Sequence, residues 1–314
     1  MAVPPISGGG PMTSAERSLN DYIKYGGNLP PPLGPLIRLH PKPLSALPFH
    51  PSLPTSPNQP SISSYSTALL LEAHTFMTAH VPRVFAVDTK AQISRPSTAT
   101  VQLSSHKVPL AEVPYESRPK GDTGVAETWV ARASEHVNAA EEGTTSWEEF
   151  EQGVGESGTG VKVQDVHVVL DWRKELGAEA RLDEGEWEDV EAEVREEVVR
   201  MPAMVDDRVF VLLVVSARRD GEFLVVKVPV EGSGLPGSRY VGAGRTTTGH
   251  CVSVEHGVLT EKGTRYQWRK AISVDAGGML PSWTQKMSGA GSLVKEVGIF
   301  MEDARKQRSD KSET

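Results

Sequence analysis

Cysteine is almost absent from this 314-residue chain, since Cys251 is the single one. One thiol cannot form an intramolecular disulfide, which favours a protein that works in a reducing compartment. The first fourteen residues are rich in Pro, Gly and Ser and lack the apolar stretch of a secretory signal. We therefore expect a cytoplasmic protein.

Long hydrophobic runs and an excess of positive charge are also missing. The longest apolar run, VFVLLVV at 209–215, is too short to span a bilayer. The formal net charge is -8, whereas general binding to nucleic acid or to anionic membranes requires clustered Lys and Arg. The sequence therefore predicts no nucleic-acid partner and no stable insertion into a membrane.

Familiar catalytic and cofactor motifs are missing as well. GSGLPG at 232–237 fits the glycine pattern of dinucleotide sites, but Pro236 and the strand-like residues after it leave no helix N-terminus for a pyrophosphate. No phosphate-binding lysine motif and no G-x-S-x-G occurs, and Cys251 in a strand-like stretch is typical of a buried, inert thiol. The histidine pairs are six residues apart, which does not suit metal ligands on one helix face. We expect no metal and no cofactor.

Proline is concentrated at the start of the chain, where residues 1–60 hold fourteen of the 23 prolines. Such a segment forms neither a helix interior nor a central strand. Two interpretations stay open, because the segment can be a linker or, given its leucines, a wrap over an exposed sheet face. We divide the chain into a proline-rich leader (1–63), extended or disordered, a folded domain (64–305) and a polar tail (306–314).

The folded domain begins with a helical pattern at 64–80 that Pro82 closes, and strand patterns follow at 127–138 and 161–172. Between the two strand patterns, SWEEFEQGV at 146–154 reads as a short helical piece.

The most acidic part of the chain is 183–200, with nine Asp or Glu against two Arg. Val190, Val194 and Val198 still share one side of this segment. We predict an amphipathic helix with a solvated acidic face.

An antiparallel sheet is predicted from residue 205 onward. Asp220 and Gly221 separate two apolar runs, which is a strong hairpin signal. Both faces of this hairpin are apolar, so the sheet needs a covering on each side. Further strands are predicted near 239–241, 250–256 and 266–275.

The last part of the chain combines a strand and a long helix. In YQWRKAISVD at 266–275 apolar and polar residues alternate, and Gly277 and Gly278 end the strand. A helix is predicted from Pro281 to about Lys306. Its apolar stripe consists of Trp283, Met287, Ala290, Val294, Val297 and Met301.

These blocks carry a resemblance to a known group of proteins. WVARASEH, EEGTTSWEEF, VHVVLDW, DDRVFVLLVVSA, FLVVKVPV and above all WRKAISVDAGGMLPSWTQKMSGAGSLVKEVGIF resemble a fungal family of uncharacterised domains related to the START lipid-transfer fold. The resemblance covers roughly 65–302. It implies an α+β helix-grip architecture, in which a curved antiparallel sheet wraps around the C-terminal helix and leaves an elongated apolar cavity.

Candidate site residues are polar or aromatic groups that this architecture turns toward a cavity. Arg132, Ser134 and His136 share one strand face, and Arg269 and Asp275 share another. Each set can pair structurally or can orient the polar end of a ligand. The candidate catalytic residues are Arg132, His136 and Arg269, and the candidate ligand-binding residues are Trp129, Ser134, Glu255, Trp268, Asp275, Trp283 and Met287.

Two function classes fit these observations, both with an apolar small molecule as partner. The first is a cofactor-independent cyclase or pericyclase of the Diels-Alderase kind, which shapes a terpenoid or polyketide intermediate of fungal secondary metabolism and needs only a folded substrate and a few oriented polar groups. The second, which the resemblance implies, is a START-like carrier that binds and transfers a lipid or sterol. The sequence leaves both open.

Overall fold

The structure is a computed structural model, and it describes residues 33–57, 59–110, 125–155, 163–177, 187–202, 205–278 and 289–312. The strands are β1 (Ala86–Val87), β2 (Gln92–Ile93), β3 (Thr100–Pro109), β4 (Val125–Val137), β5 (Asp165–Asp171), β6 (Glu188–Val199), β7 (Asp207–Arg219), β8 (Glu222–Pro229), β9 (Thr246–Thr260) and β10 (Arg265–Asp275). The helices are α1 (Ile62–Thr75), α2 (Val81–Val84), α3 (Trp147–Phe150), α4 (Arg173–Leu176) and α5 (Ala290–Ser312), with π-helical turns at Phe76–His80 and Glu151–Gly155.

All ten strands join one curved sheet, in the order β1-β3-β4-β10-β9-β8-β7-β6-β5 with β2 beside β3. Neighbouring strands are antiparallel, and the first residues of β7 and β9 also meet in a short parallel pairing. The hairpin predicted around Asp220 and Gly221 is confirmed as β7 and β8. β4, β5 and β10 confirm three more predicted strands, and β9 is longer than predicted.

Each face of the sheet has its own covering. On one face, α5 packs its apolar stripe against Leu212, Val214, Tyr266 and Trp268, and we call this the α5 side. The stripe residues are Leu293, Val294, Val297 and Met301. On the opposite face, α1 and the segment before it cover a larger apolar core, and we call this the α1 side. A long C-terminal helix held against a curved antiparallel sheet confirms the predicted helix-grip architecture.

The helix α5 agrees with the prediction only in part. Its apolar positions from Val294 to Met301 are buried as predicted, whereas its predicted start at Pro281 lies outside the described residues. The helix continues to Ser312, past the predicted end at Lys306. Arg308 holds the extra turn in place, because its Nη1 and Nη2 donate to the carbonyl oxygens of Glu141 and Thr144 at 3.0 Å each.

The acidic segment is a strand rather than the predicted helix. Residues 188–199 form β6 and pair with β7 along almost their whole length. A spacing of four residues puts Val190, Val194 and Val198 on one face of a helix and equally on one face of a strand, so the valines could not decide between them. Tertiary pairing and the β-branched side chains decide for the strand.

The strand predicted at 239–241 is wrong as well, since these residues form turns before β9. Their backbone N–H groups converge on one carboxylate instead of on a neighbouring strand. Glu196 accepts from the N–H of Arg239 at 2.8 Å, of Tyr240 at 3.1 Å and of Val241 at 3.2 Å. A carboxylate held by several N–H groups fixes a turn and leaves no donors for a ladder.

Part of the proline-rich leader covers the sheet. Ile37, Leu47 and Leu53 are buried in the core on the α1 side. The N–H groups of Leu36 and Ile37 bond the Glu72 carboxylate of α1 at 3.0 and 2.7 Å. Residues 33–57 therefore follow the wrap interpretation, and residues 1–32 lie outside the described residues.

Candidate functional site

A row of charged side chains crosses the α5 side of the sheet. On β10, Lys270 stands opposite Arg132 of β4 and opposite Glu255 of β9. Lys227 of β8, the strand next to β9, and Glu197 of β6, two strands beyond β8, extend the row. We call these residues, together with Arg195 of β6 and Glu296 of α5, the charged row. All seven side chains are buried.

The inner half of the charged row is closed by α5. Glu296 reaches down from the helix to Lys270, with 2.9 Å between Oε2 and Nζ, and lies 3.6 Å from Arg132 Nη2. Glu255 Oε1 accepts a hydrogen bond from Trp268 Nε1 at 2.8 Å and lies 3.3 Å from Arg132 Nη2. Arg132 also stacks over the Trp268 ring, 3.9 Å from its centroid. The sheet and α5 are thus joined by ions as well as by apolar packing.

In this inner half, burial and ion pairing shift the pKa values in opposite directions. Burial lowers the pKa of Arg132, although Glu255 and Glu296 oppose the effect. Burial also lowers the pKa of Lys270, but the carboxylates of Glu255 and Glu296 outweigh this effect, so the pKa is raised. Such a cluster is costly to desolvate and is strongly destabilised when one partner is removed.

The outer half of the charged row opens into a cleft beside α5. Glu197 Oε1 accepts from Lys227 Nζ at 2.8 Å and from Arg195 Nη2 at 2.6 Å. These three residues and Glu296 line a cleft of about 1340 Å³, together with apolar groups that include Val166 of β5 and Ile299 of α5. The described lining of the cleft is therefore mixed, since it combines the buried ions, exposed charged side chains of α5 such as Lys295 and Asp303, and apolar side chains.

Cys251 lies near both halves of the charged row. Burial is the main reason that the pKa of its thiol rises to about 12, and Lys227, Glu197, Lys270 and Glu296 all act on it. A thiol with this pKa is protonated at neutral pH and is a poor nucleophile.

Five of the predicted site residues lie on the α5 side. Arg132, Glu255 and Trp268 belong to the inner half of the row or contact it. Ser134 and His136 lie beside them on β4, with 2.8 Å between Ser134 Oγ and His136 Nε2. Burial lowers the pKa of His136 to about 3, with further lowering by the charge of Arg132. This imidazole is therefore neutral at physiological pH.

Three predicted site residues lie elsewhere. Trp129 is part of the core on the α1 side and bonds Glu127 through Nε1 at 2.8 Å. Arg269 also points to the α1 side, toward Glu222 and His256. Asp275 is exposed at the end of β10 and accepts from the N–H of Gly277 at 3.0 Å. Arg269 therefore does not share a cavity with Arg132 and His136. Trp283 and Met287 lie outside the described residues.

Five residues of the charged row were missed by the sequence reasoning. Lys270 and Lys227 each interrupt an apolar strand, and Glu296 follows closely on Leu293 and Val294 in the apolar stripe of α5. A charge inside an apolar pattern is the available signal for a buried ionic group. Arg195 and Glu197 carried no such signal, because their segment was interpreted as a solvated helix.

Two features are absent from the described ranges. No three His, Cys, Asp or Glu side chains come together there in an arrangement that could hold a metal ion. No helix in those ranges has the length and apolar character needed to cross a membrane.

Comparisons with solved structures return several human proteins of low sequence identity. Human StAR-related lipid transfer protein 5 is similar at 16% identity and a TM-score of 0.47, over 79% of this chain and 100% of that chain. The human StarD13 (DLC2) lipid transfer and protein localization domain has 13% identity and a TM-score of 0.40, over 76% and 95%. Human STARD10 has 12% identity and a TM-score of 0.41, over 83% and 86%.

In sequence, no curated protein matches this chain. A family described as Protein of unknown function (DUF3074) does match, over residues 129–304. This range begins in β4, ends in α5 and contains every member of the charged row. Because it covers more than half of the chain, the protein belongs to the DUF3074 family.

Proposed function

We propose that this protein binds an amphipathic small molecule in the cleft beside α5. The polar end of the molecule lies on the outer half of the charged row, and its apolar part lies along α5 and the edge of the sheet. One observation carries the proposal: a row of buried ions runs from a closed core into an open cleft, where Arg195, Glu197 and Lys227 form the floor.

The position of the ions supports binding rather than stability alone. Burying charges gains little over apolar packing and is often a net cost, so a row of seven is expected only where it has a further use. At the cleft floor Lys227 and Arg195 share one oxygen of Glu197, and Arg195 also pairs with Glu193 at 3.1 Å. The ammonium group of Lys227 carries three N–H donors, so it can bond a carboxylate, a phosphate or another strong acceptor of a ligand while it keeps its bond to Glu197.

The size of the cleft supports a large ligand. Pockets for drug-sized molecules have volumes of roughly 300–1,000 Å³, and this cleft has about 1340 Å³. Val166 and Ile299, exposed by 48% and 49%, give its walls an apolar surface. A molecule with one polar end and a long apolar part fits both features.

Carriage of such a ligand is the function that the geometry supports best. The ions of the floor are already paired with one another. A carrier needs only to hold its cargo and release it. This agrees with the lipid carrier that the sequence resemblance implies.

One observation favours the cyclase as a second candidate. Arg132 is buried, and its Nε and Nη1 have no hydrogen-bond partner among the described residues. Donors of this kind can stabilise a carbonyl on which negative charge develops. The cyclase keeps only Arg132 and His136 of its three candidate catalytic residues, because Arg269 lies on the other side of the sheet.

Binding is tested with a fluorescent fatty acid and with its uncharged alcohol. We expect saturable binding of the acid by the full chain, and Lys227→Met to weaken it by about tenfold, the effect of losing roughly 1.4 kcal/mol. The alcohol, which lacks the charge, should be affected less. The control is Lys174→Met, which removes an exposed lysine of α4. Equal affinities for the acid in wild type and Lys227→Met would contradict the proposal.

Carrier and cyclase are separated by two further measurements. The carrier moves a fluorescent lipid between vesicles and returns it unchanged in mass spectra. The cyclase converts linear precursors from an extract into a product of the same mass and a different retention time, and Arg132→Leu abolishes this conversion. A boiled sample is the control in both assays.

A further inference from the structure

Another cleft, of about 700 Å³, lies where β6 begins and β7 ends. The segment that contains α3 and the following π-helical turn contributes to both clefts, because Glu149 lines the cleft beside α5 whereas Glu148 and Glu151 line this one. We call this second space the acidic cleft, after the four carboxylates in its lining, Glu148, Glu151, Asp189 and Glu191.

The charges of the acidic cleft do not balance. Its described lining holds four carboxylates but two arginines, Arg173 and Arg218. Arg218 pairs with Asp189, and Arg173 pairs at 2.6 Å with Asp171, which lies outside the lining. The carboxylates that keep no ion-pair partner among the described residues are Glu148, Glu151 and Glu191. The described lining of the cleft beside α5, by contrast, has six Lys or Arg against five Asp or Glu, so the two clefts select ligands of opposite charge.

Glu151 is strongly affected by this imbalance. It is half-buried, and burial is the main reason that its pKa is raised. The charges of Glu148 and Asp189 raise the pKa further, and Arg218 opposes them without cancelling the effect. A further positive charge beside Glu151 would therefore stabilise the ionised carboxylate.

Ser216 brings a polar group into the same cleft from the sheet. The residue is only 7% exposed, yet it belongs to the lining. It stands opposite Glu191 in the pairing of β6 with β7. Within the described ranges, no side chain or backbone group forms a hydrogen bond with its hydroxyl group. A buried hydroxyl without a partner is unfavourable, so a ligand that bonds this group gains affinity.

The lining suits an organic cation with an aliphatic part. An ammonium group has three N–H donors, so it can bond a carboxylate and a hydroxyl oxygen together. Val190, Ala217 and Phe223 give the cleft apolar surface that suits methylene groups. The volume of about 700 Å³ lies within the roughly 300–1,000 Å³ of small-molecule pockets. In the part of the chain that the structure describes, no carboxylates are arranged to hold a metal ion.

We propose that the acidic cleft binds an aliphatic polyamine. One ammonium group lies at Glu191 and Ser216 on the sheet, and another lies at Glu148 and Glu151 on the α3 segment. The methylene chain between them covers the apolar part of the lining. Such a ligand links the sheet to the α3 segment and compensates the unpaired carboxylates. This site does not depend on the proposed function.

Calorimetric titration of the full chain with spermidine at low ionic strength tests the proposal. We expect saturable binding with one spermidine per chain. Glu151→Gln should weaken it by about tenfold, because a half-buried charge is lost. Glu191→Gln, at an exposed position, and Ser216→Ala, which removes one hydrogen bond, should each weaken it by about threefold. The matched control is Glu231→Gln, which removes an exposed carboxylate outside the lining and should leave the affinity unchanged.

Two further titrations separate a specific site from general attraction to an acidic protein. Butylamine, with a single ammonium group, should bind at least about tenfold more weakly than spermidine. The proposal is overturned if Glu231→Gln weakens binding as much as Glu151→Gln does, or if Mg²⁺ competes with spermidine as well as a second polyamine does.

The two clefts are also tested against each other. Lys227→Met should leave the affinity for spermidine unchanged, and Glu151→Gln should leave the affinity for the fluorescent fatty acid unchanged. Loss of spermidine binding in Lys227→Met would place the polyamine in the cleft beside α5 and overturn the acidic cleft as its site. Failure of fatty-acid binding alone would contradict only the proposed function.

Discussion

The two sides of the sheet differ in how they bury polar groups. On the α5 side, seven charged side chains lie in two ion-paired groups, and the outer group opens into a cleft. On the α1 side, valine, leucine and tryptophan fill most of the space, and the buried charged groups occur as separate pairs, as Arg38 with Glu127 and Glu222 with His256. Apolar burial contributes most to stability, whereas buried ions contribute little net stability but strongly restrict geometry. We infer that the α1 side holds the fold together and the α5 side recognises the ligand.

The largest expected effect is the loss of the leader on the α1 side. Deletion of residues 1–57 removes Ile37, Leu47 and Leu53 from the core, and burial of three such side chains contributes on the order of 5–9 kcal/mol. This is comparable with the whole stability of many domains. Thermal unfolding of the deleted chain should therefore begin near or below room temperature.

Deletion of residues 1–32 is the matched control, because it leaves every described contact of the leader in place. Unfolding temperatures that are equal for the two deletions would contradict the wrap interpretation and restore the linker.

The next effect compares one arginine from each side. Arg132→Leu removes one of the two buried cations that the described contacts place beside Glu255 and Glu296, and removal of one member of a buried ionic cluster costs about 3–5 kcal/mol. Arg269 is half-buried and bonds Gln267, so Arg269→Leu should cost about 1 kcal/mol or less, as is usual for partly exposed charges. Urea denaturation measures both.

If the two arginine variants lose the same free energy of unfolding, the charged row is not a coupled cluster. The two sides of the sheet would then not differ in how their charged groups are coupled.

A smaller effect concerns acid stability on the α5 side. The pKa of His136 is about 3 in the folded protein, because burial disfavours the charged ring, and it is near 6.5 in the unfolded chain. The folded state thus binds fewer protons, and stability present above pH 6.5 is lost as the pH falls toward 3. Between pH 7 and pH 5 the linkage to His136 should lower the free energy of unfolding by about 2 kcal/mol.

Urea denaturation of His136→Gln at both pH values checks this difference. The variant should lose about 2 kcal/mol less than the wild type between pH 7 and pH 5. An unchanged pH dependence would mean that the imidazole is not held neutral by its surroundings.

The smallest effect tests how closely α5 is seated. A Cβ at Gly298 would lie 2.5 Å from the carbonyl oxygen of Arg95, whereas a Cβ at Gly291 meets nothing within 4 Å. Gly298→Ala should destabilise by about 1–2 kcal/mol through overpacking. Gly291→Ala should stabilise by up to about 1 kcal/mol, because alanine favours helix. Melting temperatures that shift in the same direction would show that the close contact at Gly298 is not rigid.

Much of the fold could be predicted because local signals and tertiary contacts agree. Asp220 and Gly221 specify a hairpin whatever covers it, and Val294, Val297 and Met301 define a stripe that needs a partner face. The errors arose where one signal fits two structures. Val190, Val194 and Val198 fit a helix and a strand equally, and the carboxylates between them gave no hint that Glu196 and Glu197 are buried.

The site could be predicted only in part. Strand periodicity correctly grouped Arg132, Ser134 and His136, because side chains alternate between faces at every residue. It did not show that Arg269 faces the opposite side from Arg132, because that depends on how β10 aligns with β4. Periodicity also could not predict that Glu296 of α5 lies beside Lys270, since the two residues belong to different elements.

The sequence by itself determined the strand-rich domain, the hairpin, the apolar stripe of the last helix and the family. The first three follow from residue types at short spacings, which act through local sterics and burial, and the family follows from the resemblance of longer sequence blocks. Only the tertiary structure decided that the acidic segment is a strand, that residues 33–57 cover the core, and that charges from five strands and a helix form one row. Those outcomes depend on contacts between residues far apart in the chain, where the pairing of charges offsets their desolvation.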